Sequence, residues 1–113
     1  PGVEFRPIYL KPFYSVGKGE QLQGVQVHLT NVQAAPLSEI QFRVMEAIAE
    51  LWPKRAVFDR GDSGRFNMFD KVLGLTQIRL RFRERNRWAD ISDYWYKDVE
   101  SFRQLSKKYY LYK

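Results

Sequence analysis

Cysteine is absent from the 113 residues, which excludes a disulfide framework, a thiolate metal site and a cysteine nucleophile. Histidine occurs once, at His28, so no metal centre can be built on two histidines of this chain. The apolar runs fall far short of the ~18 residues that suggest a membrane span. No basic segment followed by an apolar one opens the chain, as a secretory signal would. Pro1 stands where an initiator Met would be, so a processed or excised piece is expected. A Gly-x-Ser-x-Gly elbow is missing, and Gly17-Lys18-Gly19-Glu20 lacks the Lys-Ser/Thr ending of a phosphate loop. No metal and no cofactor are expected.

What is present is the composition of one folded domain. The length suits a single domain rather than two, and a chain of this size buries roughly two-thirds of its unfolded surface. Hydrophobic residues at 44% and charged residues at 28% argue against general disorder. The formal charge of +6 would suit an anionic partner such as nucleic acid, a membrane surface or an acidic polymer.

Residues 3–16 favour strand but carry Pro7 and Pro12, which marks an edge or broken strand. Gly17 to Glu20 reads as a turn. Over 24–30, Val25, Val27 and Leu29 alternate with Gln26, His28 and Thr30, a strand with one apolar and one polar face. From Pro36 to Trp52, Leu37, Ile40, Val44, Ile48 and Leu51 form an apolar stripe at helical spacing, stopped by Trp52-Pro53. Ala56-Val57-Phe58 suggests a short strand, and 59–65 a loop. Phe66 to Gly74 reads as a short helix closed by glycine. Ile78, Leu80 and Phe82 alternate with Arg79, Arg81 and Arg83, which periodicity reads as strand, although Ile78 and Phe82 also lie one helical turn apart. A last helix is capped by Asp90 and carries Ile91, Trp95, Val99, Phe102 and Leu105 as its stripe.

Chemistry-bearing groups are few. His28 on a polar strand face is either a locally hydrogen-bonded side chain or a ligand-contacting donor with an ordinary pKa near ~6.5. The acidic pairs Asp59 with Asp62, Asp90 with Asp93 and Asp98 with Glu100 fit caps, turns and solvated helix faces better than glycoside chemistry, whose carboxylate separation sequence spacing does not establish. Arginines 79, 81, 83, 85 and 87 would line one face of a strand and attract phosphates; on a helix they spread around the axis and the patch dissolves.

Five segments in order carry a resemblance: Gly2-Val3-Glu4-Phe5-Arg6-Pro7; Pro12-Phe13-Tyr14-Ser15; Gly24-Val25-Gln26-Val27-His28-Leu29-Thr30-Asn31; Phe69-Asp70-Lys71-Val72-Leu73-Gly74; and Trp95 to Tyr112 with Phe102 and Tyr109-Tyr110-Leu111. Together the chain resembles the C-terminal domain of the NamZ-type exo-β-N-acetylmuramidases. The resemblance implies a bacterial glycoside hydrolase that releases N-acetylmuramic acid from non-reducing ends of peptidoglycan-derived glycans in the periplasm or outside the cell. It further implies that the active cleft lies between a Rossmann-like N-terminal domain and this smaller one. It turns residues 76–85 from strand to helix. It departs at Asn31, where an aspartate is common, and at Leu22, where a cysteine is.

The expected architecture is therefore a single α+β domain over 1–113. A small mixed sheet, led by strands near 4–14 and 24–30, packs against amphipathic helices near 36–52 and 91–106, with short helices besides. Gln26, His28, Arg6 and Asn31 are the substrate-binding candidates carried by the resemblance, with the catalytic acid and base expected in the absent domain. Asp70 is expected to cap a helix or pair with an arginine. The partners expected are that N-terminal domain and a muropeptide or glycan. The rival readings are a nucleic-acid module using Arg79 to Arg87 and a non-catalytic glycan-binding domain.

Overall fold

The alternation in residues 24–30 forms the strand it predicts. In the computed structural model, which describes residues 1–55 and 57–112, β2 (Leu22–Leu29) pairs antiparallel with β1 (Val3–Leu10). The α+β class is as read from the sequence. The sheet, however, has two strands and is antiparallel, where a mixed sheet was expected. The first strand stops at Leu10 and does not reach 14, because Pro12 cannot continue the ladder.

Register decides which side chains share a face. Val3 faces Leu29, Phe5 faces Val27 and Pro7 faces Val25, while Glu4 faces His28 and Arg6 faces Gln26. The hairpin is closed where the Thr30 amide donates to the Gly2 carbonyl at 3.0 Å. Alternation from that hydrogen-bonded pair places Pro7 in a non-hydrogen-bonded position. Its missing N–H therefore costs the pairing nothing. Gly2 itself has φ +78°, and a Cβ there would lie 2.4 Å from the Asn31 carbonyl oxygen. Close approach of backbone to backbone makes glycine obligatory at this position.

The chain divides into two compact units, residues 1–38 with the hairpin and a second unit from Glu39 onward. A 3-10 turn at Leu37–Glu39 leads into the second unit, where α1 (Ile40–Leu51) stops before Pro53 as expected. Next come α2 (Val57–Arg60), α3 (Phe66–Leu73) and α4 (Thr76–Arg85). Val57 and Phe58 are thus helical, not strand, and Ala56 lies outside the described residues. Gly74 ends α3 in the left-handed region with φ +79°. The single long helix expected near 91–106 is two, α5 (Ser92–Tyr96) and α6 (Val99–Ser106), with the Phe102 amide restarting the ladder on the Asp98 carbonyl. Asp90 caps neither; its carboxylate is bound by Arg85.

The buried cluster is mostly aromatic: Phe42 of α1, Phe58 of α2, Ile78 and Phe82 of α4, and Trp88 and Ile91 between α4 and α5. Phe42 is fully buried, with the rings of Phe82 and Trp95 at 5.3 Å and Trp88 at 5.7 Å. The anticipated α1 stripe is therefore not what reaches deepest. Leu51 stays 69% exposed, and Phe42 with Met45 points at the core instead. Likewise Ile91 is buried while Phe102, from the far end of its expected stripe, remains 66% exposed.

Truncating the ring at the centre of this cluster should have a large effect. Phe42→Ala is expected to destabilise the second unit by about 3–5 kcal/mol, from lost transfer energy and the cavity left behind. Urea unfolding followed by tryptophan emission checks it; a loss below about 1 kcal/mol would mean that Phe42 is not the hub.

Candidate functional site

Period-two geometry gathers the polar strand residues. Glu4 and Arg6 of β1 lie across from His28 and Gln26 of β2, so all four project from one face of the hairpin. His28 is half-buried and Arg6 and Gln26 are exposed. The imidazole Nε2 donates to the Gln26 carboxamide oxygen at 3.2 Å. In the tautomer that donates there, Nδ1 is an acceptor, and the Gln26 NH2 group remains a donor pair. Among the described residues Arg6 makes no ion pair, so its fork of donors is available to an anion.

Three of the four residues anticipated from sequence are thus brought together. Asn31 has a different place: its Oδ1 accepts from the Gln33 amide at 3.1 Å and the Ala34 amide at 3.2 Å, shaping the turn after β2. Glu4, which the register brings beside the other three, was not among the anticipated residues. The signal was present, since it shares parity with Arg6, but the cross-strand register that sets it against His28 could not be read from β1 by itself.

The face is open rather than enclosed. A cavity of ≈ 440 Å³ lies elsewhere, among Glu46, Glu50, Glu84, Arg85 and Arg87 of the helical unit. There Arg87 bridges Glu46 and Glu50, while Arg85 is held by Asp90. Among the described residues there is no cluster of His, Asp or Glu that could hold a metal ion. Among the described residues no helix is long and apolar enough to cross a membrane.

The alternate arginines do not assemble a phosphate-binding stripe. On α4 successive alternate positions diverge, and each guanidinium meets a partner within the fold. Arg79 forms a two-pronged pair with Asp70 at 2.7 and 2.8 Å. Arg81 lies 4.4 Å from the centre of the Tyr94 ring, and Arg83 sits 3.7 Å from Asp59. Arg85 binds Asp90, and Arg87 binds Glu50. The helix in this segment follows from burial: Ile78 and Phe82, one turn apart, are both in the core, while Leu80 is exposed.

The Asp70–Arg79 pair is the most sheltered of these, with side chains 11% and 12% exposed. The hydrogen bonds from Arg79 hold the Asp70 carboxyl below its ordinary value, against the opposing effect of burial and with help from the Thr76 hydroxyl. A general acid needs the opposite shift, so Asp70 is a structural clasp between α3 and α4.

Comparison with known proteins bears on the whole chain. The family described as "Exo-beta-N-acetylmuramidase NamZ, C-terminal" matches residues 1–112. The peptidoglycan β-N-acetylmuramidase NamZ of Bacillus subtilis (strain 168) is 28% identical over 112 residues, covering 99% of this chain and 26% of that protein. A crystal structure of a DUF1343 family protein from Bacteroides fragilis superposes with a TM-score of 0.96 at 65% identity, over 100% of this chain and 29% of that one. The chain therefore spans less than a third of the length of these relatives.

The clasp gives a stability test with a definite sign. Asp70→Asn is expected to cost about 2 kcal/mol, the order of a charged hydrogen-bonded pair. Because the folded carboxyl titrates below its unfolded value, its contribution is complete above about pH 4 and disappears as pH falls through the lower folded value. Urea titrations at pH 7 and pH 2.5 check both points: a gap between wild type and variant that persists undiminished at pH 2.5 would contradict the clasp.

Proposed function

Because this chain belongs to the NamZ C-terminal family, we propose that it is the C-terminal module of a peptidoglycan-processing exo-β-N-acetylmuramidase. In this role it completes a substrate cleft with a larger N-terminal domain. The observation that carries the proposal is the convergence of Arg6, Gln26 and His28 on one open hairpin face within a chain matched end to end by that family. The Arg6 guanidinium suits the lactyl carboxylate of a terminal N-acetylmuramic acid, which it can grip through two parallel N–H bonds. The Gln26 NH2 group and His28 Nδ1 supply a donor and an acceptor for sugar hydroxyls or the N-acetyl group. Glu4 adds an acceptor beside them.

A flat face cannot exclude water from a reacting glycosidic bond, and ligand sites are ordinarily concave. The geometry therefore supports a binding contribution, with the opposite wall, the acid and the base supplied by the companion domain. Asp70, the acid of the resemblance motif, is held by Arg79 and unsuited to proton donation. A peptidoglycan substrate calls for a periplasmic or secreted location.

The test is release of N-acetylmuramic acid from a disaccharide or longer glycan that carries it at the non-reducing end. The 113-residue chain is expected to give none, and the full-length polypeptide that carries it to turn over. In that polypeptide Arg6→Ala, Gln26→Ala and His28→Ala are each expected to lower kcat/KM about tenfold or more, a transition-state loss of about 1.4 kcal/mol. Three variants all within twofold of wild type would remove the hairpin face from the site. Robust turnover by the short chain would remove the two-domain premise.

A further inference from the structure

The two edges of the hairpin differ, and the difference points to what covers one of them. In the non-hydrogen-bonded pairs, backbone N–H and C=O groups turn outward. On β1 these belong to Val3, Phe5, Pro7 and Tyr9; on β2 they belong to Gln23, Val25, Val27 and Leu29. Pro7 interrupts the β1 edge with a missing donor and a ring, which blocks a further strand there. The β2 edge is uninterrupted, and among the described residues its outward groups have no backbone partner. Three of these four residues carry apolar side chains in the open, Val25 at 61% exposure, Val27 at 43% and Leu29 at 46%. An unpaired edge flanked by exposed apolar side chains is the template used in strand addition.

We infer that the outer edge of β2 is the docking seam for an extended strand from the larger domain that precedes this module in its relatives. This rests on the two-domain reading above and names the surface that reading requires. Two observations choose the occupant. The relatives are more than three times the length of this chain, and the match is to a C-terminal family, so the additional polypeptide lies mostly before the position of Pro1. The Thr30–Gly2 hydrogen bond holds the beginning of the chain beside the end of β2. A preceding domain is thus tethered at one end of the open edge, where its effective concentration far exceeds that of a second molecule.

Amide hydrogen exchange on the full-length polypeptide tests the seam. Gln23, Val25, Val27 and Leu29 amides are expected to exchange at least about 100-fold slower than unstructured amides, while Phe5 and Tyr9 on the blocked edge stay within about tenfold. Val25→Pro, which follows Gly24 and lies across from an existing proline, should be compatible with the hairpin. It is expected to remove the protection at Val27 and to speed proteolytic release of the module. Fast exchange along β2 in the wild-type protein overturns the inference, as does protection on β1 instead. Protection that appears in the 113-residue chain and grows with its concentration assigns the edge to a second copy and overturns it too. Muramidase activity on the same sample separates the two proposals. Unprotected β2 amides in an active enzyme reject the seam and keep the function; protected amides in an inactive one do the reverse.

Discussion

The register of the hairpin is the constraint on which the functional reading depends. One backbone bond, from Thr30 to Gly2, sets the pairing, and Gly2 permits it because any Cβ would collide with the Asn31 carbonyl. From that closure follow the opposition of Arg6 to Gln26 and Glu4 to His28, the placement of Pro7 where it needs no donor, and the assignment of Val25, Val27 and Leu29 to the other face. A slip of one residue in a strand exchanges its two faces. The polar cluster would then be dispersed, with no residue changed.

The second unit works by a different economy of forces. Its centre is aromatic, with Phe42 ringed by Phe82, Trp88 and Trp95, and Phe58 meeting Phe66 and Phe69 edge-on. Around it the arginines act as ties between elements. Arg79 joins α4 to α3 through Asp70, and Arg87 reaches back to Glu46 and Glu50 on α1. Tyr96 reaches Glu39 at the start of α1 in the same manner, at 2.7 Å. The arginines of residues 79–87, which suggested an anionic partner, are thus engaged inside the fold, while the net charge of +6 remains. Surface pairs of this kind contribute little individually, but they orient short helices that could not persist alone.

Exposed apolar surface is the other consistent theme. Neither strand contains a fully buried residue, and α6 presents Val99, Phe102 and Leu105 to solvent. Domains of this size rarely leave so many large side chains uncovered without a partner. The proposed companion domain would cover such surface, and the chain matches a C-terminal family and spans less than a third of its longer relatives.

The local signals in the sequence were sufficient for the parity of β2, the stop of α1 before Pro53 and the glycine ending of α3, because each depends on residues within a turn or two of one another. Gln26 and His28 could be placed on a common face for the same reason. The resemblance supplied Arg6 and corrected residues 76–85 from strand to helix against their alternation. What the tertiary structure decided was everything that joins distant positions: Glu4 opposite His28, Asp70 bound to Arg79, Phe42 rather than the Leu37–Leu51 stripe at the core, and the break between α5 and α6. Propensity and periodicity act over a few residues, whereas burial and ion pairing are settled by neighbours that folding alone brings within reach.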